Sequence, residues 1–172
     1  MLKNINKNIK ILYVEDDEIA RENGIEYLQN FFEQIYEASD AIKALQLYEK
    51  YQPDIIITDI QMPKLNGLEF VKRIRQKDKK TQIIIITAFC DKDYLLKAIE
   101  LGLVKYLVKP VCEKEFEEAL FLCVNSLQNN ESNIIKLDEN SYFDIFNKNL
   151  LINEEIIKLR TKEILFLELL IK

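Results

Sequence analysis

Glu15 and Asp16 follow directly on the apolar run Ile9–Val14, Asp59 follows Asp54–Thr58, Thr87 closes Gln82–Thr87, and Lys109 follows Val104–Val108. If these runs are parallel strands of one sheet, three carboxylates, a hydroxyl and an ammonium meet at a single edge. Carboxylates so placed repel and raise one another's pKa unless a cation joins them. The chain has no histidine and only 3 cysteines (Cys90, Cys112 and Cys123), none in CxxC spacing. An all-oxygen cluster of this kind selects a hard cation such as Mg2+. A divalent cation and a lysine around one carboxylate suit phosphoryl transfer: the positive charges neutralise the transferring group, and the carboxylate is the nucleophile. The missing histidine removes Ser-His-Asp triads and the commonest zinc ligand.

The elements that must position these groups are legible as an alternation. After the first acidic cluster, Glu18–Phe32 carries Ile19, Ile25, Leu28 and Phe32 at roughly helical spacing. Gln34–Ala38 reads as a weaker strand. Asp40 can cap a helix bearing Ile42, Leu45, Leu47 and Tyr48, which Pro53 ends. Met62–Gly67 is turn-rich, and Leu68–Lys77 is a helix with Leu68, Val71 and Ile74 inward. Asp91 caps a helix that runs through Leu101 to Gly102. Glu113–Leu127 is a long helix with Phe116, Ala119, Leu120, Cys123, Val124 and Leu127 on one stripe. Five strands alternating with five helices imply an α/β, doubly wound parallel sheet covered on both faces, with its site at the carboxyl ends of the strands.

Composition narrows the class further. The 172 residues carry 24 basic and 29 acidic side chains, a net charge of −5, which argues against a generally nucleic-acid-binding surface. No apolar stretch approaches a membrane span and Met1–Lys10 lacks an apolar signal core, so no membrane contact is expected. The odd cysteine count suggests reduced thiols in a cytoplasmic protein.

The ordered set ILYVEDD, DIQMPKLNG around Asp59, Thr87-Ala88 and Lys109-Pro110, with Tyr106 three residues before the lysine, resembles the receiver domain of two-component response regulators, with its CheY-like, flavodoxin-like five-stranded fold. The resemblance implies that Asp59 accepts a phosphoryl group from a phosphohistidine on a separate sensor histidine kinase. It implies that Asp16 ligates Mg2+ directly, Glu15 mostly through water, Asp59 itself, and Gln61 through its backbone carbonyl. Lys109 then binds a phosphoryl oxygen, Thr87 swings its hydroxyl to the phosphate, and Tyr106 follows inward from an exposed rotamer. It also implies a cis Lys109–Pro110 bond. Such a protein catalyses its own aspartyl phosphorylation and dephosphorylation and is not a metabolic enzyme. Met62-Pro63 and Lys109-Pro110 disfavour a magnesium-dependent phosphatase of similar fold.

The receiver resemblance ends near residue 127. Residues 128–133 read as a polar linker, and 134–172 as a short β-rich segment followed by one helix: strands Ile134–Leu137, Tyr142–Phe146, Leu150–Ile152 and Ile156–Leu159, then helix Thr161–Lys172. This pattern resembles the opening of the winged-helix effector domain of OmpR/PhoB-type regulators, with Leu159-Arg160-Thr161-Lys162-Glu163 at the first helix. Arg160 stands where that family has Thr, which removes a capping-box side chain. The resemblance implies DNA binding through residues beyond Lys172. The segment itself is net acidic and no DNA footprint. The alternative is a receiver that switches protein contacts without DNA. The family's dimer face, formed by the helix to Leu101, the fifth strand and the helix after it, lacks its usual charges at Val104, Lys105 and Ala119. A homodimer there has to use Lys97, Lys105 and Glu115 or apolar contacts.

Overall fold

The computed structural model describes residues 8–88, 94, 97–98, 100–128, 134–138, 141–144, 149–152 and 155–170. The chain divides into two compact units, Met1–Leu127 and Gln128–Lys172. The first is built on β1 (Lys10–Val14), β2 (Gln34–Ala38), β3 (Ile55–Thr58), β4 (Gln82–Thr87) and β5 (Lys105–Val108). These strands form one parallel sheet in the order β2-β1-β3-β4-β5. It is the parallel α/β sheet that the strand–helix alternation implies, and the CheY-like fold that the receiver resemblance implies.

Helices α1 (Glu18–Gln29), α2 (Ala41–Tyr51), α3 (Gly67–Arg75) and α4 (Glu113–Gln128) cover the sheet. Residues 94, 97, 98 and 100 are helical too; Cys90 and the Asp91 cap lie outside the described residues. Adjacent strand residues face opposite layers. Ile11, Tyr13, Ile55, Ile57, Ile84 and Ile86 pack with α1 and α4. Leu12, Val14, Ile56 and Ile83 pack with α2 and α3. The isoleucine runs of β3 and β4 are therefore buried on both sides, each side chain stabilising by about 1.5–3 kcal/mol.

The caps follow local chemistry. Asp17 accepts the Ala20 N–H, Asp40 those of Ile42 and Lys43, and Asn66 that of Glu69. Two helix faces differ from the sequence reading. Ile19 is 71% exposed, six residues out of phase with the Ile25–Leu28–Phe32 stripe. Ile42 is 46% exposed because Ala41, Ala44 and Tyr48 form the buried stripe of α2; small alanines let the helix lie close to the sheet. Ala119 is fully buried in the α4 core stripe, as the apolar spacing of that helix implies, so its part is packing and not charge.

The second unit is an antiparallel sheet of β6 (Ile134–Lys136), β7 (Ser141–Asp144), β8 (Asn149–Ile152) and β9 (Glu155–Lys158), followed by α5 (Thr161–Leu170). Phe143 is its fully buried side chain. Most turn residues read from the sequence lie outside the described residues, as do 129–133; Gln128 is the last residue of α4. The Arg160 N–H donates to Glu163 Oε2 at 2.8 Å, so the reciprocal half of the capping box forms without a threonine.

Candidate functional site

The four strand ends bring the expected groups to the carboxyl edge of the sheet. The Asp59 N–H donates to the Val14 carbonyl and the Glu15 N–H to the Ala38 carbonyl, so both acidic residues continue the β-ladder by one rung. Lys109 follows β5, and its N–H donates to the Thr87 carbonyl at 2.8 Å. Its Nζ then donates to Glu15 Oε2 and to Asp59 Oδ2, both at 2.7 Å. Glu15 is 3% exposed and Asp59 7%. One ammonium, partly open to solvent, thus bridges two carboxylates that are nearly closed to it, which leaves an excess of negative charge when both are ionised.

Burial pushes the Glu15 carboxyl above its ordinary range, and the Lys109 hydrogen bond offsets this only in part. Burial alone pulls the Lys109 ammonium down. Its bonds to Asp59 and Glu15 outweigh that and leave it above the usual lysine value. Tyr13, beneath the pair on β1, is pushed up to about 12 by burial and then by the Glu15 charge.

The second Asp59 oxygen, Oδ1, accepts the Gln61 N–H at 3.0 Å, an Asx-type turn that folds the following loop back over the carboxylate. Thr58 Oγ1 donates to the Asp59 carbonyl at 2.9 Å. At Gly67 a Cβ would overlap that same carbonyl, and the Gly67 N–H donates to the Ile60 carbonyl at 2.8 Å. Glycine is needed here so that α3 can start against the backbone of the site. Between them, Lys64 has φ 72, and the Leu65 N–H donates to the Pro63 carbonyl, a tight three-residue turn.

The remaining candidates lie around this pair of contacts. Asp16 is exposed beside Glu15. Thr87 is fully buried at the end of β4. Tyr106 is half-buried against the cluster of Ile60, Leu68, Ile85 and Ala98. Tyr106 lies on the edge strand β5. The Lys109–Pro110 bond is cis. Cys112 is exposed and Cys123 buried.

Sequence reasoning missed Thr58, Gly67 and Arg21. The Arg21 guanidinium bonds the Glu15 carbonyl. The signals were weak: a Gly after Asn in a turn-rich loop, and an arginine one helical turn past an acidic cluster.

The donor set fits Mg2+: carboxylates of Glu15, Asp16 and Asp59 with nearby backbone oxygen, and no soft ligand among them. Among the described residues no three His, Cys, Asp or Glu side chains are already spaced to hold an ion. The Lys109 ammonium occupies the space between two of the donors, and the third faces solvent.

A five-stranded parallel sheet with a buried aspartate, a second acid and a lysine at its carboxyl edge is the arrangement of a receiver-type domain. The response regulator receiver domain family matches residues 11–121, and the chain belongs to that family. It is 34% identical to an uncharacterized response regulatory protein of Staphylococcus epidermidis, covering 69% of this chain and 47% of the relative. It is 38% identical to the transcriptional regulatory protein BtsR of Salmonella typhi, covering 65% and 46%. The crystal structure of the N-terminal domain of an uncharacterized protein from Wolinella succinogenes superposes with TM-score 0.66 at 39% identity, covering 72% of this chain and 99% of that one. The chain spans about half the length of the curated relatives it matches. No described helix is long and apolar enough to cross a membrane.

Proposed function

We propose that this protein is a phosphorylation-switched response regulator in which Asp59 accepts a phosphoryl group from the phosphohistidine of a sensor histidine kinase. The observation that carries this is the pair of 2.7 Å contacts from Lys109 Nζ to Glu15 and Asp59 in a nearly closed site. An Asp59 carboxylate oxygen attacks phosphorus, the phosphorus–nitrogen bond to the donor breaks, and the imidazole nitrogen keeps the electron pair and takes a proton. Asp16, Asp59, the Gln61 carbonyl and Glu15 would hold Mg2+, which when bound would supply positive charge for the phosphoryl oxygens. Lys109 holds the Asp59 oxygen beforehand and donates to a phosphoryl oxygen afterwards. The buried Thr87 hydroxyl gains an acceptor present only in the phosphorylated state, and Tyr106 moves with it, which biases a two-state equilibrium on that side of the sheet.

Residues 1–127 are the receiver, 128–133 the linker, and 134–172 the opening of an effector. We read the effector as OmpR/PhoB-type, supported by the four antiparallel strands followed by a helix with half a capping box. Transcriptional output is supported by the name of the transcriptional regulatory protein BtsR, matched over 65% of this chain. A homodimer of the activated form draws on Lys97, Lys105 and Glu115, all exposed. The site of action is the cytoplasm, where the kinase's phosphohistidine would be.

The test is incubation with Mg2+ and a small acyl phosphate, followed by intact mass. The protein should gain one phosphoryl group and Asp59→Asn none; equal labelling of the two would end the assignment.

A further inference from the structure

Arg21 lies on the first turns of α1, its side chain only 15% exposed. Its Nη1 donates to the Glu15 carbonyl at 2.9 Å, and its Nε to Glu37 Oε2 on β2 at 3.2 Å. The Glu15 carbonyl is the first backbone oxygen beyond β1, where the chain leaves the ladder for the acidic loop. Without Arg21 this carbonyl would lose a charge-assisted hydrogen bond at a part-buried position. The next peptide carries Asp16, whose carboxylate is exposed, with no ion pair or hydrogen bond to another described side chain. Asp16 is therefore aimed by its backbone, and that backbone is held by the Asp17 cap on one side and by Arg21 on the other.

We infer that Arg21 is a positioning residue for the cation: by holding the Glu15 carbonyl, with Glu37 fixing its own direction, it orients Asp16 toward the site. The inference rests on the reading of Asp16 and Asp59 as Mg2+ ligands. Its electrostatics run opposite to its geometry, which makes it separable. Arg21 is a positive charge near a site for Mg2+, so as a mere charge its loss would tighten Mg2+ binding. As a positioning group its loss weakens binding, and outer-sphere groups of this kind are typically worth about tenfold or more in metal affinity. Arg21→Lys keeps the charge but cannot reach the carbonyl and Glu37 with the same rigid fork.

The experiment is titration calorimetry of Mg2+ binding on the full chain, for wild type, Arg21→Met, Arg21→Lys, Glu37→Gln and Asp16→Ala, with thermal unfolding of each. Arg21→Met should weaken Mg2+ by about tenfold, Arg21→Lys by nearly as much, and Glu37→Gln by about threefold. Labelling by acyl phosphate should show the Mg2+ half-saturation raised while the rate at saturating Mg2+ stays close to wild type. If Arg21→Met does not fold, Glu37→Gln carries the test alone. Unchanged or tighter binding in the folded Arg21 and Glu37 variants, with Mg2+ binding lost in Asp16→Ala, overturns the inference and leaves the ligand reading standing. Wild-type affinity in Asp16→Ala overturns the ligand reading itself.

Discussion

The two ends of the receiver sheet each hold a carboxylate in a polar knot, and the knots are built to opposite purposes. At the amino ends of β3 and β4, Asp78 Oδ1 accepts the N–H groups of Lys80 and Thr81, at 2.6 and 3.1 Å. Its Oδ2 accepts the Tyr48 hydroxyl at 2.8 Å and the Thr81 hydroxyl. Against the pull of burial, these donors bring its carboxyl down to about 2. At the carboxyl ends, Asp59 and Glu15 share one ammonium that reaches them from a flexible lysine stem, and Glu15 is pushed up by burial. Fixed neutral donors from backbone and hydroxyl make a carboxylate inert. A mobile cation between two buried carboxylates leaves them exchangeable, able to give up one positive partner for another. Satisfaction by donors that cannot leave marks the structural end of this sheet, and satisfaction by one lysine shared between two acids marks the end proposed to react.

The comparison can be broken by removing the mobile cation. Lys109→Met should lower the rate of Asp59 labelling by about 100-fold or more, the usual effect of removing a charge-stabilising donor. Asp78→Asn should label at nearly the wild-type rate; equal losses in both variants would erase the distinction between the two ends.

Gly67→Ala sharpens the geometric half. A Cβ there meets the Asp59 backbone, which cannot swing aside as a side chain can. The variant should lose about 3 kcal/mol in denaturant unfolding, and a loss under 0.5 kcal/mol would show that the loop yields freely.

The smallest effect tests the fixed end by pH. Asp78 has its folded pKa lowered from 3.8 to about 2. Its contribution is thus fully present above about pH 4 and lost as pH falls toward 2. After discounting for solvent screening at a partly exposed site it amounts to about 1 kcal/mol. The acid limb of the stability curve should flatten by that amount in Asp78→Asn, and an unchanged limb would contradict the assigned cause.

Much of this was legible in the chain. The apolar runs, bounded by acids and turns, marked all five receiver strands to within a residue, most clearly the isoleucine runs of β3 and β4, because strands buried on both faces need unbroken apolar sequence. The meeting of Glu15, Asp59 and Lys109 followed from parallel strands ending on one edge. Helix faces were less legible. Ile19 and Ile42 drew attention by hydrophobicity, while Ala41, Ala44 and the fully buried Phe70 formed the contact, since a helix lying close on a sheet selects size as well as apolarity. Arg21, Thr58 and Gly67 serve backbone atoms of the site, and contacts to backbone leave no spacing pattern to read.

On the proposed reading, Asp59 is the group that Lys109 prepares for phosphoryl transfer. Its most direct test is to label the protein with an acyl phosphate and Mg2+, reduce the acyl phosphate with borohydride, digest, and locate the modified residue by mass spectrometry. The account predicts a single modified residue, Asp59, absent from Asp59→Asn and retained in Asp78→Asn. Modification at Glu15, Asp16 or Asp78 in its place, or undiminished labelling of Asp59→Asn, would contradict it.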